Sequence, residues 1–81
     1  MLLFTKPACS KCEDIKSQFD LPGMGVVEKR LTPDDPAALA ELAYYECVEL
    51  AERELPILVD DSGAVHSGKI PIKKFLRQLI N

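Results

Sequence analysis

The sequence predicts an α/β fold in which a four-stranded mixed sheet is flanked by helices, in the order β-α-β-α-β-β-α. Short apolar runs bounded by proline or glycine indicate the strands. Stretches with apolar residues three and four positions apart indicate the helices. A helical stretch separates the first two strands, which favours parallel pairing between them. The length of 81 residues predicts one domain over residues 1–81.

The first strand and helix are predicted from the opening of the chain. Residues 1–5 form a continuous apolar run that is typical of a strand buried on both faces, and Pro7 ends it. A helix is predicted from about residue 10 to residue 19 because its apolar side chains share one face. The residues on that face are Cys12, Ile15 and Phe19.

The middle of the chain predicts a strand and a long helix. Residues 26–31 alternate as a strand does, after turn residues at 21–25. An Asp at the N-cap and Pro36 at the first helical position predict the start of a helix that runs to about Arg53. Its predicted buried stripe is Leu39, Ala43, Cys47 and Leu50, flanked by Leu42 and Ala51.

The last part of the chain predicts a hairpin and a closing helix. Residues 55–59 form a short apolar strand, the loop 60–63 has turn chemistry, and residues 64–66 return as the second strand. The final helix is predicted to begin at Pro71. Its apolar face is predicted to hold Ile72, Phe75, Leu76, Leu79 and Ile80.

Composition and charge limit the classes of function. A net charge of −3 and the absence of a dominant basic field argue against nucleic-acid binding. The opening apolar run is too short for a signal peptide, and no stretch reaches the roughly 20 apolar residues of a membrane span. Three cysteines do not form the even-numbered framework of a secreted protein. We therefore expect a cytoplasmic protein, monomeric and away from membranes.

Two cysteines, Cys9 and Cys12, lie where the first strand ends and the first helix begins. The unpaired amides and the positive dipole of a helix N-terminus favour thiolate over thiol, and the flanking Lys6 and Lys11 add positive charge. Cys12 continues the buried helix face, so Cys9 should be the exposed thiol. We predict that Cys9 attacks a disulfide and that Cys12 resolves the mixed disulfide.

A metal site is the main alternative use of these cysteines. A single-chain zinc site needs two further ligands, and the remaining candidates, Cys47 and His66, each stand alone in the sequence. No metal ligands are therefore predicted within one chain. An iron–sulfur cluster shared by two chains, with Cys9 and Cys12 from each, stays open. A binding protein without turnover stays open as well.

The predicted order of elements and the cysteine pair at the start of the first helix resemble the thioredoxin-fold superfamily. The length of the chain and its short N-terminal part resemble the glutaredoxin branch. The motif Cys9-Ser10-Lys11-Cys12 matches the active-site position, and Leu55-Pro56 matches the cis-proline position. The resemblance implies a cis peptide bond before Pro56, with Pro56 packed beside Cys9 and the Leu55 backbone available to substrate. Lys6 resembles the basic residue that glutaredoxins often carry just before the active site, and we expect both Lys6 and Lys11, which flank the cysteines, to contact substrate.

The resemblance implies a thiol–disulfide oxidoreductase without a bound cofactor that takes part in cell redox homeostasis. Its partners would be disulfide-containing proteins and a reductant, either glutathione or an enzyme of the thioredoxin-reductase type. The chain differs from glutaredoxins in three segments, one of which is Glu54-Leu55-Pro56, where many have Thr-Val-Pro. Ser10-Lys11 stands where Pro-Tyr is usual, and Ser67-Gly68-Lys69 stands where many have paired glycines that hold glutathione.

Two further residues have simpler interpretations. Cys47 lies on a predicted buried stripe, where a free cysteine behaves as a small apolar side chain. His66 has no catalytic partner in the sequence and is predicted to be a surface residue of a strand.

Overall fold

A computed structural model describes residues 1–80, which form strands and helices close to the predicted order. The elements are β1 (Leu2–Thr5), α1 (Ser10–Gln18), β2 (Val27–Arg30), α2 (Pro36–Tyr44), α3 (Val48–Arg53), β3 (Ile57–Val59), β4 (Val65–Ser67) and α4 (Lys69–Leu79). A short 3₁₀ turn at Pro22–Met24 leads from α1 into β2. The order agrees with the prediction except that the second predicted helix is divided into α2 and α3.

The four strands form one mixed sheet in the order β2-β1-β3-β4. The central strand β1 pairs in parallel with β2, as the β-α-β prediction requires, and antiparallel with β3. The strands β3 and β4 pair antiparallel as the predicted hairpin. The predicted α/β class with a four-stranded mixed sheet is thereby confirmed.

Two apolar cores lie on opposite faces of this sheet. Successive side chains of a strand point to opposite faces, so Leu3 joins one core and Phe4 joins the other. The first core, under α1 and α4, contains Leu3, Ile15, Phe19, Leu21, Val26, Leu58, Ile72 and Leu76. The second core, under α2 and α3, contains Phe4, Leu42, Cys47, Ile57 and Val59. Both faces of the sheet are therefore covered by helices.

Helix α1 packs on the sheet through the face that the sequence predicts. Cys12, Ile15 and Phe19 are all buried along one side of the helix. The helix ends at Gln18, and the amide of Phe19 donates to the carbonyl of Ile15 at 3.2 Å. Burial of this face fixes α1 against the sheet and holds its N-terminal end beside the end of β1.

The start of α2 follows the predicted capping chemistry. The Asp35 carboxylate accepts a hydrogen bond from the amide of Ala38 at 3.2 Å, and Pro36 occupies the first helical position. The pair fixes the helix start because the Asp35 side chain satisfies an amide that has no partner inside the helix.

The helix predicted over 36–53 is interrupted, which corrects the prediction. Glu46 has a φ of 59°, in the left-handed region, so the right-handed helix stops before it. The amide of Glu46 donates to the Ala43 carbonyl at 2.9 Å, and the amide of Cys47 donates to the Leu42 carbonyl at 3.1 Å. These bonds satisfy the last carbonyls of α2, and α3 starts afresh after Cys47.

The buried face of α2 is also rotated relative to the prediction. Ala38 and Leu42 are buried, whereas Leu39 is 53% exposed and Ala43 is exposed. The segment is apolar on two adjacent stripes, so its own periodicity does not decide which stripe faces the sheet. Packing of Leu42 against the second core selects the other stripe.

Helix α4 begins two residues earlier than predicted and leaves the core before its end. Its first residue is Lys69, and Pro71 fits within the first turn because amides there need no partner inside the helix. Ile72 and Leu76 are fully buried as predicted, but the expected burial of Leu79 and Ile80 is wrong. Leu79, the last residue of α4, and Ile80, which follows the helix, are both exposed.

The hairpin between β3 and β4 is organised by Asp60. One oxygen of its carboxylate accepts hydrogen bonds from the amide and the hydroxyl of Ser62 and from the amide of Ala64. The other oxygen lies 2.9 Å from Nε2 of His66. These hydrogen bonds hold the pKa of Asp60 well below its ordinary value, the Ser62 bond contributing most.

Candidate functional site

The candidate site is built around the Cys9–Cys12 pair, at the point where β1 leads into α1. The two side chains form a disulfide, and their α carbons are 5.3 Å apart. Cys47, the third cysteine, stays a free thiol in the second core. The fold therefore brings together the two cysteines that the sequence pairs and keeps the third apart from them.

The sulfur of Cys9 caps helix α1. The backbone amide of Cys12 donates a hydrogen bond to Cys9 Sγ at 3.2 Å. An oxygen of Ser, Thr, Asp or Asn usually accepts this bond at a helix start. Because the first amides of a helix have no internal partner and the helix dipole is positive there, this position stabilises a negative charge on the sulfur.

The two cysteines differ in accessibility, though less than predicted. Cys12 is 1% exposed and points inward, as expected. Cys9 is only 7% exposed, so the prediction that it is an exposed residue is wrong for the disulfide-bonded form. Capping and the disulfide both turn its sulfur back toward the helix. Ala8, with a φ of 57°, supplies the left-handed turn directly before it.

An open groove of about 270 Å³ lies beside Cys9. It is lined by Lys6, Ala8, Cys9, Ser10, Lys11, Arg53, Glu54 and Leu55. The predicted site residues Lys6, Lys11 and Leu55 therefore share one groove with Cys9. Cys12 lies behind the groove wall rather than in it.

The Leu55–Pro56 segment forms the connection from α3 to β3. The peptide bond between these residues is cis, as the resemblance predicts. Pro56 is buried and is not among the residues that line the groove; its carbonyl accepts a hydrogen bond from the amide of Gly68 at 2.9 Å. The backbone N–H and C=O of Leu55 form no hydrogen bond with any residue between 1 and 80. They are free to pair with a bound chain.

Arg53 and Glu54 are groove residues that the sequence analysis missed. They lie at the end of α3, directly before Leu55. Their position next to this predicted site residue was the one sequence feature that could have indicated them. The carboxylate of Glu54 also lies over the α carbon of Gly68, in the space that a Cβ would occupy. Only the fold brings the end of α3 to the start of α1, which sequence spacing does not reveal.

Cys47 and His66 lie away from the groove. Burial raises the pKa of the Cys47 thiol, and the nearby Glu46 carboxylate adds to this effect. The thiol donates to the Tyr45 carbonyl at 3.2 Å, so it remains a buried apolar side chain with one weak hydrogen bond. His66 is half-buried, stacked on Phe75 with ring centres 4.3 Å apart, rather than a free surface residue.

Between residues 1 and 80, no three or more His, Cys, Asp or Glu side chains are grouped so that they could hold a metal ion. No helix within the same residues combines the length and the apolar character needed to cross a bilayer.

Comparison of the chain with known protein families, curated proteins and solved structures finds no match.

Proposed function

We propose that this chain is a thiol–disulfide oxidoreductase with a glutaredoxin-like thioredoxin fold. The observation that carries the proposal is the hydrogen bond from the Cys12 amide to the Cys9 sulfur, at the mouth of a groove. The helix N-terminus favours the thiolate form of a sulfur in this position when the disulfide is reduced. Thiolates, rather than thiols, attack disulfides.

The reaction begins with the reduced pair. The Cys9 thiolate attacks one sulfur of a substrate disulfide, forms a mixed disulfide with it and releases the other sulfur as a thiolate, which takes up a proton. The Cys12 sulfur, as a thiolate, then attacks Cys9 Sγ and releases the second substrate thiol. Two electrons pass from the protein to the substrate, and Cys9 and Cys12 end in a disulfide.

The division of roles between the cysteines is supported by their burial. Cys9 lines the groove, where a substrate sulfur can approach it. Cys12 is almost fully buried and can reach only Cys9. A nucleophile must meet its substrate, whereas a resolving thiol needs to meet only the nucleophile.

The assignment to the thioredoxin fold is supported by the sheet order and by the place of the site. A parallel β1–β2 pair, a hairpin from β3 and β4 and a closing α4 agree with the topology that the resemblance implies. The cysteines occupy the start of the first helix, and Leu55 lies beside Cys9 in the groove. The free backbone groups of Leu55 suit strand-like pairing with an extended substrate.

The proposal includes the source of electrons and the cellular setting. The oxidised pair would be reduced again by a thiol reductant, either glutathione or an enzyme of the thioredoxin-reductase type. The protein would act as a cytoplasmic monomer on disulfide-containing proteins, without a bound cofactor.

A redox titration tests the proposal. The protein is equilibrated in glutathione buffers of known potential, its thiols are trapped by alkylation, and each species is weighed by intact mass. The expected result is a two-electron step that joins Cys9 to Cys12, at a potential between about −270 and −180 mV. Absence of a Cys9–Cys12 disulfide at every potential would end the proposal.

Two further measurements test the other hypotheses, an iron–sulfur cluster shared by two chains and a binding protein without turnover. Iron content and absorbance after anaerobic purification would reveal a cluster shared by two chains through Cys9 and Cys12. Partner binding that survives removal of both cysteines, without any disulfide turnover by the intact protein, would favour a binding protein.

A further inference from the structure

The charge of the groove beside Cys9 is opposite to that of the whole chain. Three of the eight groove residues, Lys6, Lys11 and Arg53, are cationic, and one, Glu54, is anionic. The groove thus has a formal charge of +2 in a protein whose net charge is −3. A concave surface of one sign raises the local concentration of ligands with the opposite sign.

The groove cations are also free of internal partners. The Lys and Arg side chains that form ion pairs within residues 1–80 are Lys16, Lys29, Lys69 and Lys73. Lys6, Lys11 and Arg53 form none there, and all three are exposed. Their charge is therefore available to a ligand in the groove rather than neutralised by the protein.

The one carboxylate of the groove does not cancel this field. Glu54 forms no ion pair with Arg53, Lys6 or any other cation among the described residues, and its side chain lies against Gly68. The side chains that a substrate meets beside the Cys9 sulfur thus include three unpaired cations. The free N–H and C=O of Leu55 add main-chain groups that suit an extended peptide.

We infer that the preferred substrate is a disulfide flanked by carboxylates, presented by an acidic peptide segment lying along the groove. The inference rests on the proposed function, since it names the substrate class of the same site. Cys9 attacks the substrate disulfide and Cys12 resolves it as above, so reduced protein and acidic disulfide give oxidised protein and two acidic thiols. The reductant of the proposed function, glutathione or an enzyme of the thioredoxin-reductase type, restores the pair.

The test compares matched disulfides in single turnover with the reduced protein. Two disulfide-linked peptides are used, one with Glu and one with Gln on both sides of the cysteine. Each rate is divided by the rate of the same disulfide with dithiothreitol at the same salt, which removes differences in intrinsic reactivity. We expect the Glu peptide to be favoured about tenfold at low salt, and the advantage to shrink near 0.2 M salt because the charges are screened.

Two triple variants separate the groove from the overall charge. Lys6→Gln, Lys11→Gln and Arg53→Gln together remove the groove cations. Arg30→Gln, Lys74→Gln and Arg77→Gln together remove the same charge from exposed cations that line no part of the groove and form no ion pair within residues 1–80. The ratio of the Glu-peptide rate to the Gln-peptide rate should fall to about one in the first variant and persist in the second.

Small disulfides distinguish the two sources of carboxylates. Dithiodipropionate, bis(2-hydroxyethyl) disulfide and cystamine are similar in size and are anionic, neutral and cationic. Two rate advantages are compared: that of the Glu peptide over the Gln peptide, and that of dithiodipropionate over bis(2-hydroxyethyl) disulfide. If the advantage of the peptide is the larger, the substrate is a peptide segment. If the two advantages are equal, the peptide part of the inference is overturned, and the groove recognises only the carboxylates next to the disulfide.

Failure of this inference differs from failure of the proposed function. Reduction of every disulfide without a preference for charge would overturn the inference alone. Equal loss of preference in the two triple variants would also overturn it. Reduction of no disulfide at all would end the proposed function and the inference together.

Discussion

The backbone amide of Cys12 lies 3.2 Å from the sulfur of Cys9 and donates to it, so one cysteine caps the helix that carries the other. This relationship makes the two residues chemically unequal although only two residues separate them. The first prediction follows from that inequality.

Replacement of Cys9 by Ser should abolish disulfide reduction, because the hydroxyl that replaces the sulfur is not a nucleophile toward disulfides at neutral pH. Replacement of Cys12 by Ser should instead leave a mixed disulfide on Cys9, visible as an increase in intact mass. Cys47→Ala is the matched control and should retain turnover, since Cys47 lies in the second core. Full turnover by the Cys12→Ser variant would rule out the dithiol route.

The second prediction concerns Gly68, whose φ of 88° and ψ of 159° lie in a region that is essentially restricted to glycine. Gly68→Ala should lower the free energy of unfolding by about 1–3 kcal/mol, measured in urea. Gly25→Ala, at a φ of 77° and with open space around the new Cβ, should cost only about 1 kcal/mol.

The contribution of Glu54 to that loss can be measured separately. The new Cβ at Gly68 would overlap the Glu54 carboxylate, so Glu54→Ala in the same chain should recover the steric part. The loss of stability that comes from the positive φ at position 68 should remain. A double variant as stable as the Glu54→Ala single variant would contradict a backbone cost at Gly68.

The third prediction concerns acid stability and Asp60. Hydrogen bonds from Ser62, and next the contact with His66, lower the pKa of Asp60 in the folded protein. Because the pKa is lowered, Asp60 contributes fully to the free energy of unfolding at pH values above the pKa of an unfolded Asp, about 3.9. This contribution is lost as the pH falls below that value. Asp60→Asn should therefore be less stable at pH 7 and show a smaller further loss between about pH 4 and pH 2.

Urea midpoints measured at several pH values would check this prediction. Asp34→Asn is the control, because Asp34 is exposed and forms no hydrogen bond or ion pair through its side chain within the described chain. An acid dependence of Asp60→Asn identical to that of the wild-type protein would show that Asp60 is not the group responsible.

The fourth prediction compares an isoleucine inside α4 with the isoleucine that follows the helix. Ile72 is fully buried in the first core, whereas Ile80, which follows α4, is 61% exposed. Ile72→Ala should cost about 2–5 kcal/mol in unfolding free energy. Ile80→Ala should change it by no more than about 0.5 kcal/mol. Comparable losses in the two variants would mean that the end of the helix is packed.

The sequence correctly predicted the buried face of α1 and the start of α2, because both depend on residues close together in the chain. The face formed by Cys12, Ile15 and Phe19 was predictable because one stripe of the helix is apolar and the rest is polar. The cap of α2 was predictable because Asp35 and Pro36 have strong positional preferences.

The parts that were missed depend on contacts between distant segments or on rare backbone conformations. A left-handed Glu46 has no sequence signal, because glycine or asparagine usually marks such a helix end. Leu39 and Leu42 are equally apolar, and only the sheet distinguishes them. Arg53 and Cys9 share the groove only through the fold, so the sequence predicted Lys6, Lys11 and Leu55 as site residues but not Arg53.

The break in the helix at Glu46 decides where Arg53 and Glu54 lie relative to Cys9. A continuous helix would carry Arg53 and Glu54 onward along the axis of α2, whereas the separate α3 delivers them to Cys9. Arg53 and Glu54 thus form one wall of the groove, and this wall is distant in sequence from Cys9 and Cys12. Substitutions at the end of α3 therefore alter the charge of the groove without altering the sequence of the cysteine pair and its cap.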